Sequence, residues 1–168
     1  MSKQIEIERK FLIEMPVLIN LDIKKDMDII QIYLTNGKQN SQRRVRKITE
    51  GNNNKYFYTE KIFVSPTHRI ENESVISAQE YDEALKEARN DCALVAKRRI
   101  CFNYSEQIFE MDIYPFSSDL AILEIELDNI SQEITIPDCI KVIKEVSDDK
   151  RYSNAELATA GAFPSDTI

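Results

Sequence analysis

Glu6, Glu8 and Lys10 stand two residues apart near the start of the chain. The same spacing recurs at Arg44 and Arg46, Lys97 and Arg99, Glu110 and Asp112, and Glu124 and Glu126. In an extended strand, residues two apart share one face, so each set places its charges on one side. Carboxylates gathered this way offer hard oxygen ligands, suited to Mg²⁺, Mn²⁺ or Ca²⁺. Arginine offers bidentate contact with phosphate oxygens and lysine a compact point charge. Together these are the parts for handling a polyanion that travels with a divalent cation.

The scarce residues exclude much else. One histidine, His68, rules out multi-histidine metal centres. Three scattered glycines leave no Gly-rich loop to cradle phosphates through backbone N–H groups. The formal charge of −7 argues against nucleic acid as a partner, since that needs a basic face. The three cysteines, Cys92, Cys101 and Cys139, form no CxxC pair, so no disulfide scaffold is expected. No apolar run approaches the length of a membrane span and no signal-peptide pattern stands at the start. The expectation is a cytoplasmic protein without a membrane partner.

The elements that must position these charges read mostly as strands, because apolar and polar residues alternate. Strands are expected around residues 5–10, 30–34 and 44–46, then Tyr56–Val64, Arg69–Ser74, Val95–Tyr104, Gln107–Tyr114 and Ala121–Leu127. Asn36-Gly37 and Gly51-Asn52-Asn53-Asn54 read as turns. Short helical stretches are expected at Pro16–Asp22 and at Pro137–Ile143. A clearer helix runs from Ala78 to about Asn90, opened by a Ser77/Glu80 capping box, and a last one covers Ala155–Ala160 behind Ser153/Glu156. With no repeat and no linker, 1–168 reads as a single domain.

Sorting the strands by face separates Phe109, Met111 and Ile113 from Glu110 and Asp112, and Leu123, Ile125 and Leu127 from Glu124 and Glu126. For any one strand a solvated face explains this. The polar faces are densely ionic, however, and the opposite faces are apolar enough to need cover. A second reading is that the sheet closes and the charges line its interior, tolerable only if counter-charge, metal and water fill it.

On these residues the chain resembles the CYTH, or triphosphate tunnel metalloenzyme, superfamily. Glu6-Ile7-Glu8-Arg9-Lys10 forms an ExExK motif. It is followed in the family's order by Arg44-Val45-Arg46, Thr59-Glu60-Lys61, Arg69-Ile70-Glu71-Asn72-Glu73, Lys97-Arg98-Arg99, Phe109-Glu110-Met111-Asp112 and Glu124-Ile125-Glu126-Leu127. The stretch from Glu145 to Asn154 looks like the ending of the short bacterial members.

The resemblance implies an α+β fold: an eight-stranded antiparallel closed β-barrel, with helices packed outside. It implies that Glu6, Glu8, Glu124 and Glu126, with Asp112, hold Mg²⁺ or Mn²⁺, and that Lys10, Arg44, Arg46, Lys61, Lys97 and Arg99 grip phosphates. Arg69 is a further phosphate candidate that could instead pair with a carboxylate. Glu71 and Glu73 are candidates for a second metal or for orienting water. Tyr33 is a candidate to touch Lys10 and lower its pKa or fix its position, with a packing role as the alternative. Glu110 is left open between the site and its rim. Arg9, Arg43, Lys47 and Arg98 fall on the opposite faces, as surface cations.

The implied activity is metal-dependent hydrolysis of a triphosphate compound, inorganic triphosphate first, by water attack on a terminal phosphorus. Thiamine triphosphate hydrolysis, adenylate cyclisation and non-catalytic polyphosphate binding are the alternatives. The partner is a small-molecule triphosphate, and homodimer formation is left open.

Overall fold

The computed structural model describes residues 4–5, 7–35, 38–64 and 69–167, with backbone alone at 4, 5, 69 and 167. Glu6, the Asn36-Gly37 turn, the Ser65-Pro66 strand end and His68 lie outside the described residues, as does the side chain of Arg69.

The strands are β1 (Gln4–Ile5), β2 (Ile7–Glu14), β3 (Asp22–Tyr33), β4 (Ser41–Glu50), β5 (Asn53–Phe63), β6 (Arg69–Ile76), β7 (Val95–Tyr104), β8 (Gln107–Ile113), β9 (Leu120–Leu127) and β10 (Val142–Glu145). All belong to one antiparallel sheet in the order β1-β6-β5-β4-β3-β7-β8-β9-β2-β10.

The closed eight-stranded barrel is thereby corrected. Among the described residues the ladder is open, ending at β1 and β10, and forms no ring. β1 makes only two pairs, Gln4↔Glu71 and Ile5↔Ile70. The sheet is nonetheless curled: β1 and β2 are separated by one residue along the chain yet stand at opposite sides of the order. Twist accumulated over this many strands is what rolls a sheet.

Two other expectations also change. Residues 137–143 form no helix; the chain turns and then adds β10 to β2 through Val142↔Ile13 and Glu145↔Phe11. At Pro16–Asp22 only a 3₁₀ turn forms, over Leu18–Asn20. β3 is longer than its apolar stretch suggested. Its charged first half pairs with β7, and Arg98 and Asp26 form an ion pair 2.5 Å long across the outer face.

Helix α1 (Ala78–Ala84) carries the full Ser77/Glu80 capping box and continues as a 3₁₀ turn over Leu85–Glu87. It packs Tyr81 against Leu34 and Val45 on the outer face. The main outer core gathers Phe11, Ile13, Phe102, Phe109, Met111 and Leu123.

Helix α2 (Asn154–Ala160), capped by Ser153, behaves differently. Its Leu157 and the preceding Tyr152 pack with Leu12, Tyr33, Val95, Tyr114 and Ile122. Leu12 and Ile122 are register partners two residues from Lys10 and Glu124, and so share their face. α2 therefore stops one end of the curled sheet's interior; it does not pack outside.

Candidate active site

Register partners in an antiparallel pair project to the same face, so the pairing fixes which charges meet. Lys10 stands opposite Glu124, and Glu124 opposite Glu110. Arg99 is opposite Asp112, Arg44 opposite Thr59, Thr59 opposite Glu73, and Lys61 opposite Glu71. The alternation read from the sequence thus converges on one concave face. It encloses a cavity of about 740 Å³, whose lining includes Glu8, Lys10, Arg44, Arg46, Lys61, Glu71, Glu73, Lys97, Arg99, Glu110, Glu124 and Glu126.

The deepest part is a dense ion cluster. Asp112 is fully buried; it accepts from Arg99 Nε at 2.7 Å and Nη2 at 2.8 Å and pairs with Lys97 Nζ at 2.5 Å. Arg99 also reaches Glu124 at 2.9 Å and pairs with Glu110. Burial alone would raise the Asp112 carboxyl, but Arg99 and Lys97 hold it well below the usual range. Burial and the neighbouring Arg99 lower the Lys97 ammonium. Asn154, the first residue of α2, accepts from Lys97 Nζ at 3.1 Å and from the Tyr114 hydroxyl at 2.6 Å.

Lys10 sits between Glu124 at 2.9 Å and Glu8 at 3.0 Å. Burial would lower its pKa, yet these two carboxylates outweigh it and raise it above the ordinary lysine value. A lysine tuned downward by Tyr33 is not what the structure contains. The Tyr33 hydroxyl accepts from the Gln31 amide at 2.7 Å within the core beside α2, and burial raises its pKa.

The β4–β6 wall is looser. Arg44 pairs with Glu71 at 3.2 Å, Lys61 with Glu71 at 2.7 Å, and Arg46 with Glu73 at 2.5 Å. Thr59 donates to Glu73 at 2.9 Å. Nε of both Arg44 and Arg46 is buried without a hydrogen-bond partner among the described residues. Both arginines line the polar cavity, where guanidinium groups with unmet hydrogen-bonding capacity suit anionic oxygens.

On the β2–β9 wall, Glu8 and Glu126 are register partners. Glu126 has no ion pair among the described residues, and burial, Glu8 and Glu71 raise its pKa. Arg99 and Lys61 act in the opposite sense but do not outweigh them. Among the described residues no three carboxylate, thiol or imidazole groups gather into a metal-ligating cluster. A facing pair still fits Mg²⁺ or Mn²⁺, which take one or two carboxylates together with phosphate oxygens and water.

The cavity thus collects most of the residues expected from sequence. Asp112 and Tyr33 lie behind its surface, Glu6 is outside the described residues, and so is the Arg69 side chain. Arg9, Arg43 and Arg98 pair on the reverse face with Glu145, Glu87 and Asp26. Sequence reasoning gave Asn154 no role, because only the docking of α2 brings it to Lys97.

The curled antiparallel sheet, with these acidic and basic pairs on its inner face, agrees with the resemblance to the CYTH superfamily that the motifs carry. No family model and no curated protein matches the sequence; the likeness is to solved structures. The chain is similar to the crystal structure of the inorganic triphosphatase NE1496, with 27% identity over 94% of this chain and 95% of that one, at a TM-score of 0.57. PH1819 from Pyrococcus horikoshii OT3 is similar at 15% identity, over 74% of this chain and 80% of that one, with a TM-score of 0.55. PH1012 from the same organism follows at 20% identity, the same two shares and a TM-score of 0.52. For these last two the likeness is one of fold.

Proposed function

We propose that the chain hydrolyses a triphosphate compound with the help of Mg²⁺ or Mn²⁺, inorganic triphosphate being the first substrate. The observation that carries this is that Arg44 and Arg46, whose Nε atoms are buried without a hydrogen-bond partner among the described residues, line the same cavity as Glu8 and Glu126. One wall asks for an anion and the other for a cation. The similarity to an inorganic triphosphatase supports the same reading.

Arg44, Arg46 and Lys61 would receive phosphate oxygens, releasing Glu71 and Glu73 from their present ion pairs. Lys10, held charged between Glu8 and Glu124, would sit against the transferring group and stabilise its developing charge. Asp112, locked by Arg99 and Lys97, is read as the fixed counter-charge that orients both cations. Glu8 and Glu126 would hold the metal, which when bound neutralises phosphate charge and orients the chain of phosphoryl groups. In the reaction a water oxygen bonds to the terminal phosphorus and the bridging P–O bond breaks. The water's proton passes to solvent, with Glu73 at the cavity edge as an acceptor. The products are phosphate and diphosphate.

The test is phosphate release from inorganic triphosphate, ATP and thiamine triphosphate, each with Mg²⁺, Mn²⁺ or chelator. Metal-dependent release supports the reading. Binding of triphosphate without release of phosphate under any metal would leave a binding module in its place.

A further inference from the structure

Asn154 brings α2 to the cavity wall, beside Lys97. Its side chain is fixed from two directions. The Lys97 ammonium donates to Asn154 Oδ1 at 3.1 Å, and the Tyr114 hydroxyl donates to the same atom at 2.6 Å. An ammonium can only donate, so the carbonyl end of the amide must be the end turned to Lys97. Tyr114 is itself held: it is buried, and its ring packs on Phe116 at 5.3 Å and Phe163 at 6.1 Å between centroids. Leu157, buried in the same core, and the Ser153 cap fix the helix that carries Asn154.

With the oxygen taken, the other end of the amide is left over. Asn154 Nδ2 carries two N–H donors and makes no hydrogen bond among the described residues. Lys97 has three donors, of which one goes to Asp112 and one to Asn154. Arg99, by contrast, is committed to three carboxylates, Asp112, Glu110 and Glu124. Asn154 and Lys97 therefore bring uncommitted N–H groups side by side at the α2 end of the cavity. The basic residues of the cavity also arrive with carboxylates that phosphate must displace: Lys10 with Glu8 and Glu124, Arg44 and Lys61 with Glu71, Arg46 with Glu73. The Asn154 amide has no carboxylate to release, and so is preorganised for an anion.

We propose that the Asn154 amide donates to an oxygen of the innermost phosphoryl group, with Lys97 donating to a second oxygen of the same group. Both contacts go to charged oxygens, where a hydrogen bond is at its strongest. Tyr114 is a positioning residue: it touches no phosphate and acts by holding the amide in this orientation. The role rests on the triphosphate reading of the cavity and deepens it. It adds a neutral, directed donor, supplied by α2, to a site otherwise built from cations on strands.

Side-chain amide NMR of isotope-labelled protein, with EDTA so that nothing turns over, tests the contact directly. The Asn154 amide signals are identified by their absence in Asn154→Asp, which keeps an oxygen for Lys97 and Tyr114 and removes both amide donors. Saturating inorganic triphosphate should move at least one Asn154 amide proton downfield and slow its exchange with solvent. Calorimetry under the same conditions should show the dissociation constant of inorganic triphosphate raised by about tenfold or more in Asn154→Asp, the scale of a hydrogen bond to a charged group. Asn154→Ala, which removes the amide without adding charge, should weaken binding likewise. A residue that only held Lys97 and Tyr114 in place would leave the amide signals unmoved. Unmoved signals while triphosphate saturates the parent protein, or a constant within about twofold of the parent's in either variant, overturn the contact and leave the triphosphate site standing. Failure of the parent protein to bind inorganic triphosphate overturns both.

Discussion

Glu8 and Glu126 are register partners on β2 and β9, so two carboxylates stand side by side on the inner face of the sheet. Like charges directly opposite each other destabilise a strand pair. Glu8 is relieved by Lys10 at 3.0 Å, whereas Glu126 has no ion pair among the described residues and its pKa is raised. A sheet that keeps this arrangement costs stability unless a cation offsets it.

Glu126→Gln should therefore raise the stability of the metal-free protein by about 0.5 kcal/mol, since it removes the repulsion. It should also blunt the response to metal. Thermal unfolding with EDTA and with Mn²⁺ checks both halves: the parent Tm rises with Mn²⁺ and the variant Tm rises much less. Equal metal responses would remove Glu126 from the cation site.

Asp112→Asn should be the costly change in the deep cluster. It leaves Lys97 without its carboxylate and strips Arg99 of a bidentate partner, both in a buried place. Breaking a buried pair from one side costs about 3–5 kcal/mol. Urea unfolding at neutral pH measures it, and a loss below about 1 kcal/mol would mean the cluster is well hydrated.

Arg9 and Glu145 clamp β10 to β2 through two hydrogen bonds of 2.8 Å. The bond to Arg9 holds the Glu145 carboxyl at about 2, below its unfolded value. A depressed carboxyl contributes stability that is complete above the unfolded pKa and is lost as the pH falls through the folded one. Glu145→Gln should thus be less stable by about 0.5–1 kcal/mol at pH 7, the scale of an exposed pair. The gap should shrink steadily below about pH 4.5. Urea titrations from pH 7 to pH 3 follow it, and a pH-independent gap would assign the effect to packing of β10.

Much of the site could be read from the chain because a strand's period of two fixes faces without any tertiary knowledge. Lys97 with Arg99, and Glu124 with Glu126, were sorted correctly by that rule. The long β3 was underestimated because Asp22–Asp28 has few apolar residues; pairing with β7 and the Arg98–Asp26 bridge hold it. The helical stretch expected over Pro137–Ile143 overlaps β10 only at Val142 and Ile143, which become strand by joining the edge of β2. Barrel closure was an expectation of the resemblance, and local alternation says nothing about whether the last strand meets the first. Asn154 and the inward turn of α2 depend on contacts far along the chain, which spacing does not record.

Lys10 gives the most direct test, because it joins the Glu8 side of the cavity to Glu124 and would face the transferring phosphoryl group. Phosphate release from inorganic triphosphate with Mg²⁺ or Mn²⁺ should fall by about 10²–10³-fold in Lys10→Ala, the scale for removing one preorganised charge-stabilising group. The variant should remain folded by circular dichroism. An unchanged rate in a folded Lys10→Ala protein, or no metal-dependent release from the parent protein, would contradict the account.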